Sequence, residues 1–312
     1  MSLALVCSGQ GAQAPGLFES FPFTEKGHEL RLRLQSLGIL EPDVVQWLDH
    51  PSERPELIYQ NRFSQPLICL FQLMVWEELR ERVPDPRLYA GYSLGELSAY
   101  GCAGAVSPED LLRLATARAR FMDQADSGDM VAVTGLPVES VQAVVTAAGA
   151  FLAIVLAPDH CVVGTGTGGG EPLVAALNAA GAAGVTRLPV SVPSHTPLLD
   201  AAVAPFRETL SKSPWISPRA PVLAGVDGSR VLNRDQMLRL LPEQIHRTVR
   251  WDRVRQAIVE AGATVILELG PGCQLAHTFL GSREPVAARS VAEFRTLDGI
   301  RDWIQRSLDQ EA

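Results

Sequence analysis

The chain has 312 residues, 46% of them hydrophobic and 20% charged, which suffices to bury a sizeable core and excludes a disordered or fibrous protein. Its formal net charge of -8 excludes a general nucleic-acid binder, whose affinity comes from clustered Lys and Arg set against phosphates. Five cysteines, Cys7, Cys69, Cys102, Cys161 and Cys273, stand singly with no C-x-x-C pair, so buried free thiols are expected rather than a zinc site or a disulfide framework.

In chain order, "LALVC" reads as a short buried strand that runs into the Gly-rich loop "SGQGAQAPG". The apolar run there is too short for a signal peptide, and no stretch reaches the roughly 18 residues that cross a bilayer, so a cytoplasmic protein without a membrane partner is expected. A long polar and mixed region follows, then "QPLICLFQLMVWEELRERV", whose spacing fits a buried amphipathic helix. "RLYAG" is a strand feeding "YSLGELSAY", and "SPEDLLRLATARARFMDQA" is a helix with Ser107 as N-cap, Pro108 at the first helical position and acidic residues in the first turn.

From about Met130 the texture changes to strand, helix, strand, strand, helix, strand, the order of a ferredoxin-like β-α-β-β-α-β unit. It reads as an α+β insert over residues 128–195, with 1–127 and 196–312 forming the main body. The "GGG" at 168–170 is a loop before a helix and lacks the spacing of a phosphate cradle. Beyond "VPSH" come a helix around Pro197–Leu210, the strand "PVLAG", the helix "RWDRVRQAIVEAG", the strand "TVILEL" and the turn "GPG". The fold class is therefore α/β, a hydrolase-like, mostly parallel sheet covered by helices, plus the small insert.

Ser93 lies between Gly91 and Gly95 in a G-x-S-x-G pattern, which places a nucleophilic hydroxyl on a sharp strand-to-helix turn; a plain tight turn is the alternative. Such a serine needs a base. Of six histidines, His28 and His50 lie in charge-rich surroundings and His160 in a hairpin turn. His195 sits where a strand ends and a helix begins, between Pro193 and Pro197, and His277 is its rival inside "CQLAHTFL". For an oxyanion the chain offers the N–H of Leu94, at a helix start, and that of Gln10 in the loop "SGQGAQ", which taken alone is equally an ordinary glycine-rich turn.

Five separated motifs, "SGQGAQ", "QPLICLF", "GYSLGELSAYGCAGAVSPEDLLRLATARARFM", "VPSH" and "ELGPGCQL", run in an order that resembles the malonyl-CoA:acyl carrier protein transacylases over nearly the full chain. The resemblance implies that Ser93 is acylated and that His195 is its base, oriented by a backbone carbonyl from "RTVRW", with Arg250 as the expected position. It further implies that Arg118 receives the free carboxylate of the malonyl group, where a solvated helix arginine is the plain alternative, and that Gln65 and Met122 line the acyl pocket. Malonyl-CoA is then substrate, no cofactor or metal is permanently bound, and the partner is an acyl carrier protein with a phosphopantetheine-type arm. Two places depart from the commonest pattern, "CSGQG" in place of F-P-G-Q-G and Tyr92 in place of histidine, and the G-Y-S-x-G-E form is similar to the malonate decarboxylase ε-subunit branch, whose carrier subunit is then the expected partner. Fatty-acid or polyketide supply is the alternative, and a serine hydrolase or thioesterase using His277, or a non-catalytic docking subunit, are others. "HRTVRWDRVR" gathers Arg247, Arg250, Arg253 and Arg255 to receive an acidic carrier or CoA phosphates, or else forms a solvated helix face.

Overall fold

The computed structural model describes residues 2–280 and 286–309. Within them the strands run, in chain order, β1 (Leu3–Cys7), β2 (Leu88–Gly91), β3 (Gly128–Thr134), β4 (Phe151–Ala157), β5 (His160–Gly166), β6 (Gly184–Arg187), β7 (Val222–Leu223), β8 (Arg230–Val231), β9 (Val249–Arg250), β10 (Val265–Glu268) and β11 (Ala287–Ser290). They form two sheets. The larger has the order β11-β10-β1-β2-β7-β8 and is parallel at each recorded junction except β7 with β8, as an alternation of strands and helices requires.

Alternate side chains of an extended strand point to opposite sides of a sheet, so a strand covered on both faces must be apolar throughout. In β1, Leu3, Leu5 and Cys7 enter one apolar cluster with Val265, Leu267 and the helix Asn61–Leu79. Ala4 and Val6 enter a second with Leu88, Ala90, Ile266 and Trp251. The helix Asn61–Leu79 starts earlier than the sequence pattern indicated and carries Pro66 inside it. The backbone bond lost at that proline is offset by burial of nearly every side chain that follows.

The polar region before it holds two helices, Glu25–Ser36 and Pro42–Asp49, that sequence periodicity did not resolve. Each buries only three residues, Gly27, Leu30 and Leu34 in one and Val44, Trp47 and Leu48 in the other, too sparse a stripe to stand out against charged neighbours. The helix Pro108–Asp123 is capped as its sequence indicates, with the Asp110 N–H donating to Ser107 Oγ at 3.1 Å. The expected helix at Pro197–Leu210 is a 3-10 turn over Pro197–Leu199 followed by an α-helix over Asp200–Lys212.

The smaller sheet has the order β6-β3-β5-β4-β9. Its first four strands come from residues 128–187 and alternate with the helices Val138–Ala147 and Gly170–Ala179. β9 comes from outside the segment 128–195 and pairs parallel to β4, so a strand from elsewhere in the chain forms an edge of the small sheet. One face of that sheet buries Val131, Val133, Cys161 and Val163 against its two helices. The other packs Met130, Ile154, Val162 and Val249 against Tyr92, the residue before Ser93.

Among the described residues no helix is long and apolar enough to cross a membrane, and no cluster of His, Cys, Asp or Glu could hold a metal ion.

The turn between β2 and the helix Leu94–Cys102 depends on two glycines. A Cβ on Gly91 would lie 2.0 Å from the Gly95 carbonyl carbon, and one on Gly95 would lie 2.0 Å from Cys7 O. Backbone cannot yield to such contacts cheaply. Gly95→Ala is expected to destabilise the protein by about 3 kcal/mol or more, read as a fall in urea midpoint; an unchanged midpoint would show that the turn relaxes.

Candidate active site

Ser93 occupies that turn with φ 54° and ψ -118°, a conformation that non-glycine residues rarely hold and that persists only where surrounding structure enforces it. His195 also has positive φ, 64°, and its N–H donates to Ile245 O at 2.9 Å. The two side chains meet, with Ser93 Oγ 2.7 Å from His195 Nε2.

On its other side the imidazole is held by a carbonyl, His195 Nδ1 lying 2.5 Å from Gln244 O. A carbonyl can only accept, so Nδ1 carries the proton and Nε2 is left to accept from the serine. The expectation that Arg250 supplies this carbonyl is thereby corrected. Residues Pro242–Ile245 form a 3-10 turn that aims the Gln244 carbonyl at the imidazole, whereas Arg250 lies in β9, donates its N–H to Gly225 O at 2.7 Å and commits its guanidinium to Asp252. Burial, opposed by the Gln244 carbonyl and reinforced by Arg118, pushes the His195 pKa down to about 4, so the ring is neutral near pH 7.

Arg118 is 2% exposed, which sets aside a solvated role. Its Nη1 donates to Gln65 Oε1 at 3.0 Å and its Nη2 to Gln244 Oε1 at 3.3 Å. Burial pulls its pKa down to about 10, still well above neutrality, so a cation sits in a dry site against neutral amides. Gln65 Nε2 in turn lies 3.6 Å from Met122 Sδ, so Gln65, Met122 and Arg118 form one wall. Arg120, two positions on, is exposed and its guanidinium rests over the Phe121 ring, 5.3 Å from the centroid.

The loop after β1 lies directly against the turn that carries Ser93: a Cβ on Gly9 would be 2.6 Å from Tyr92 O and 3.4 Å from Ser93 Cβ. Gln10 ties this loop to the helix Asn61–Leu79 through Asn61 Oδ1 at 2.8 Å and Ser64 Oγ at 2.6 Å. Leu94 opens its helix, where an N–H has no intrahelical acceptor. The loop is held from behind by Ser8, whose Oγ donates to Glu268 Oε1 at 2.6 Å, and by Gln72 Nε2, which donates to Ser8 O at 2.8 Å and Gly270 O at 2.5 Å.

Sequence reasoning missed Gln72, Glu96, Gln244 and Glu268. The available signal was a single polar residue in an apolar run, as Gln72 in "LICLFQLMVW" and Glu268 in "TVILEL", since a buried polar group must have partners. Glu96 is fully buried, and burial pushes its carboxyl up to about 7.

An open cleft of about 590 Å³ has His195 on its lining together with Arg247, Arg250 and Arg253. Of the four arginines grouped in the sequence, Arg255 goes elsewhere, its guanidinium lying over the Phe279 ring at 5.2 Å. His277 lies apart from Ser93's hydrogen bond, with Nδ1 3.9 Å from Cys273 Sγ in the short helix Gln274–His277. Chemically, a strained serine against a neutral, carbonyl-held imidazole can exchange an acyl group, and a buried cation nearby can pair with an anionic acyl chain.

Residues 4–294 match the family model described as the acyl transferase domain. The chain is 30% identical over 288 residues to the malonyl CoA-acyl carrier protein transacylase of Bacillus subtilis, covering 86% of this chain and 87% of that one. It is 28% identical over 308 residues to that of Haemophilus influenzae, covering 95% and 97%. Among solved structures, an acyl-carrier-protein S-malonyltransferase from Burkholderia pseudomallei superimposes with a TM-score of 0.88 at 27% identity over 97% of this chain and 100% of that one. A malonyl-transacylase in complex with its type II polyketide-synthase acyl carrier protein gives 0.88 at 26% identity over 97% and 99%. A match of this extent, laid over a fold whose sheet order and serine turn are those just described, means that the chain belongs to the acyl transferase domain family.

Proposed function

We propose that the protein moves a malonyl group from malonyl-CoA to the phosphopantetheine thiol of an acyl carrier protein that supplies fatty-acid or polyketide synthesis. The observation that carries the choice of acyl group is Arg118, a buried cation joined through Gln244 to both Ser93 and His195. A planar guanidinium pairs with a carboxylate in two parallel hydrogen bonds, and in a dry site that pairing discriminates strongly against an uncharged acyl chain. The relatives from Bacillus subtilis and Haemophilus influenzae, both named malonyl CoA-acyl carrier protein transacylase, support the same reading.

In this reading Ser93 Oγ attacks the thioester carbonyl as its proton passes to His195 Nε2, and the Gln244 carbonyl steadies the imidazolium through Nδ1–H. The N–H groups of Leu94 and Gln10 receive the oxyanion. Collapse breaks the carbon–sulfur bond, and the CoA sulfur leaves with the proton from Nε2. The carrier's thiol then returns along the same path in a ping-pong cycle. Gln65 and Met122 line the acyl chain. Residues 128–195 form an inserted unit over the core, a reading supported by the packing of its sheet on Tyr92, and Arg247, Arg250 and Arg253 face the incoming phosphates or acidic carrier from the cleft.

Tyr92, in the G-Y-S-x-G-E form, favours a second reading, the malonate decarboxylase branch, whose carrier bears a phosphoribosyl-dephospho-CoA arm. Ser8 Oγ bonds Glu268, which a proline at that position could not do, and Tyr92 stacks edge-on against Trp251 at 5.7 Å. Intact-protein mass spectrometry after mixing with malonyl-CoA and then each carrier tests both. A malonyl adduct on Ser93 discharged by the phosphopantetheine carrier is the expected result, discharge only by the other carrier would shift the assignment to that branch, and no adduct would overturn both.

Acylation should also report the state of His195. A protonated imidazole cannot accept, so kcat/KM is expected to stay level as pH falls from 7 and to drop only near the pKa of about 4. A midpoint near the ordinary 6.5 would contradict a buried base. A shoulder near 7 that vanishes in Glu96→Gln belongs to Glu96.

A further inference from the structure

We propose that Glu96 is a positioning residue that sets the selectivity of this site for a carboxylated acyl group by holding the Gln244 amide in a single orientation. The inference rests on the reading of Arg118 as the carboxylate partner. Glu96 lies three residues beyond Ser93 in the helix Leu94–Cys102 and is 0% exposed. Its Oε2 accepts from Gln244 Nε2 at 2.6 Å and from the Gly225 N–H at 2.9 Å. Its Oε1 meets no hydrogen-bond partner among the described residues.

The same Gln244 amide turns its other end to the cation, its Oε1 accepting from Arg118 Nη2 at 3.3 Å, while Nε2 also donates to Ser93 O at 2.9 Å. The amide therefore stands between an acceptor-only carboxylate oxygen and a donor-only guanidinium. Rotated by half a turn, it would face N–H against N–H at Arg118 and oxygen against oxygen at Glu96, losing a bond at each end. Glu96 thereby selects the orientation that keeps Arg118 in place and ties it to the backbone of the nucleophile.

What this requires of Glu96 is an acceptor at the Oε2 position, since both donors converge there. A proton, when bound, goes to Oε1 and leaves the arrangement standing. Glu96→Gln, with its carbonyl oxygen in the place of Oε2, retains both bonds, and Glu96→Leu keeps the volume and removes the acceptor. Gly225→Ala attacks the same point from the other side. Its Cβ would fall 2.8 Å from Glu96 Oε2 and 3.2 Å from Gln244 Nε2, the two nearest atoms to it, which displaces the pair directly.

The measurement is the single-turnover acylation of Ser93 by malonyl-CoA and by acetyl-CoA in each variant, with the ratio of the two rates as the readout. Glu96→Leu and Gly225→Ala are expected to lower the malonyl-to-acetyl ratio by about tenfold, the scale of one hydrogen bond to a charged group, and Glu96→Gln to restore it to within about twofold of the parent. Should either disruptive variant slow both acylations equally, Glu96 serves the fold alone and the proposal fails. It fails too if Glu96→Gln loses the ratio as Glu96→Leu does, for then charge and not orientation is acting. Arg118→Ala measured alongside separates the two layers. An unchanged ratio there overturns the carboxylate reading itself, whereas a collapse there with no change in Glu96→Leu or Gly225→Ala overturns only the role of Glu96.

Discussion

His195→Ala is expected to slow acylation of Ser93 by malonyl-CoA by about 10^4- to 10^6-fold, the scale on which removing one member of a serine–histidine unit acts. The reason is the geometry at Ser93 Oγ, where a neutral Nε2 waits at 2.7 Å. A serine hydroxyl has no comparable nucleophilicity until its proton has somewhere to go. Ser93→Ala should abolish the covalent adduct. His277→Ala should leave acylation within about twofold, because its ring is turned to Cys273 and takes no part in Ser93's hydrogen bond. Rapid-quench mass spectrometry of the acyl-enzyme measures all three, and a dead His277→Ala beside an active His195→Ala would make His277 the base and overturn the role of His195. Gln244 resists the same test by side-chain replacement, since the group that steadies His195 is its backbone carbonyl.

Arg118→Ala carries the second large effect: malonyl acylation should fall by about 10^2- to 10^3-fold, as for truncating one member of a buried, hydrogen-bonded charge pair, while acetyl transfer falls less than about tenfold. Lysine should not rescue it. An ammonium is a point charge that cannot match a carboxylate in two parallel bonds while also serving Gln65 and Gln244. Equal losses for malonyl and acetyl would remove the carboxylate role. The same residue should show a trade of stability for function. Before substrate arrives, Arg118 is a buried cation whose hydrogen bonds go to amide oxygens, an arrangement that costs desolvation without a carboxylate in direct contact. Arg118→Met is therefore expected to unfold at the same or a higher temperature than the parent, and a markedly lower Tm would mean that its bonds to the two glutamines outweigh that cost.

Much of this was legible in the order of residues. The all-apolar "LALVC", the Ser107-Pro108 helix start and the glycines around Ser93 are local signals, each readable within a few residues because the physical cause is itself local: alternation across a strand, a cap for free N–H groups, room for a tight turn. The arrangement of strands and helices from 128 to 187 is of the same kind. Where the reading stopped, the causes were non-local. The helices Glu25–Ser36 and Pro42–Asp49 bury too few side chains to show a period, and β9 is two residues long, with nothing in "VR" to announce that it would pair with β4.

The orienting carbonyl shows the limit most sharply. Expected at Arg250, it belongs to Gln244, because a backbone oxygen carries no sequence signal and its direction is set by the 3-10 turn at Pro242–Ile245. The chain alone thus offered candidates, a serine on a tight turn and a histidine between two prolines with His277 as its rival, and the family resemblance added an arginine in an amphipathic helix. Folding decided which of them meet. Gln244 reaches Ser93, Glu96 and Arg118 across 151, 148 and 126 residues of chain, and a contact over such a separation exists only once the packed core has excluded water and brought the partners within hydrogen-bond distance, where a buried polar group must find a partner or destabilise the fold.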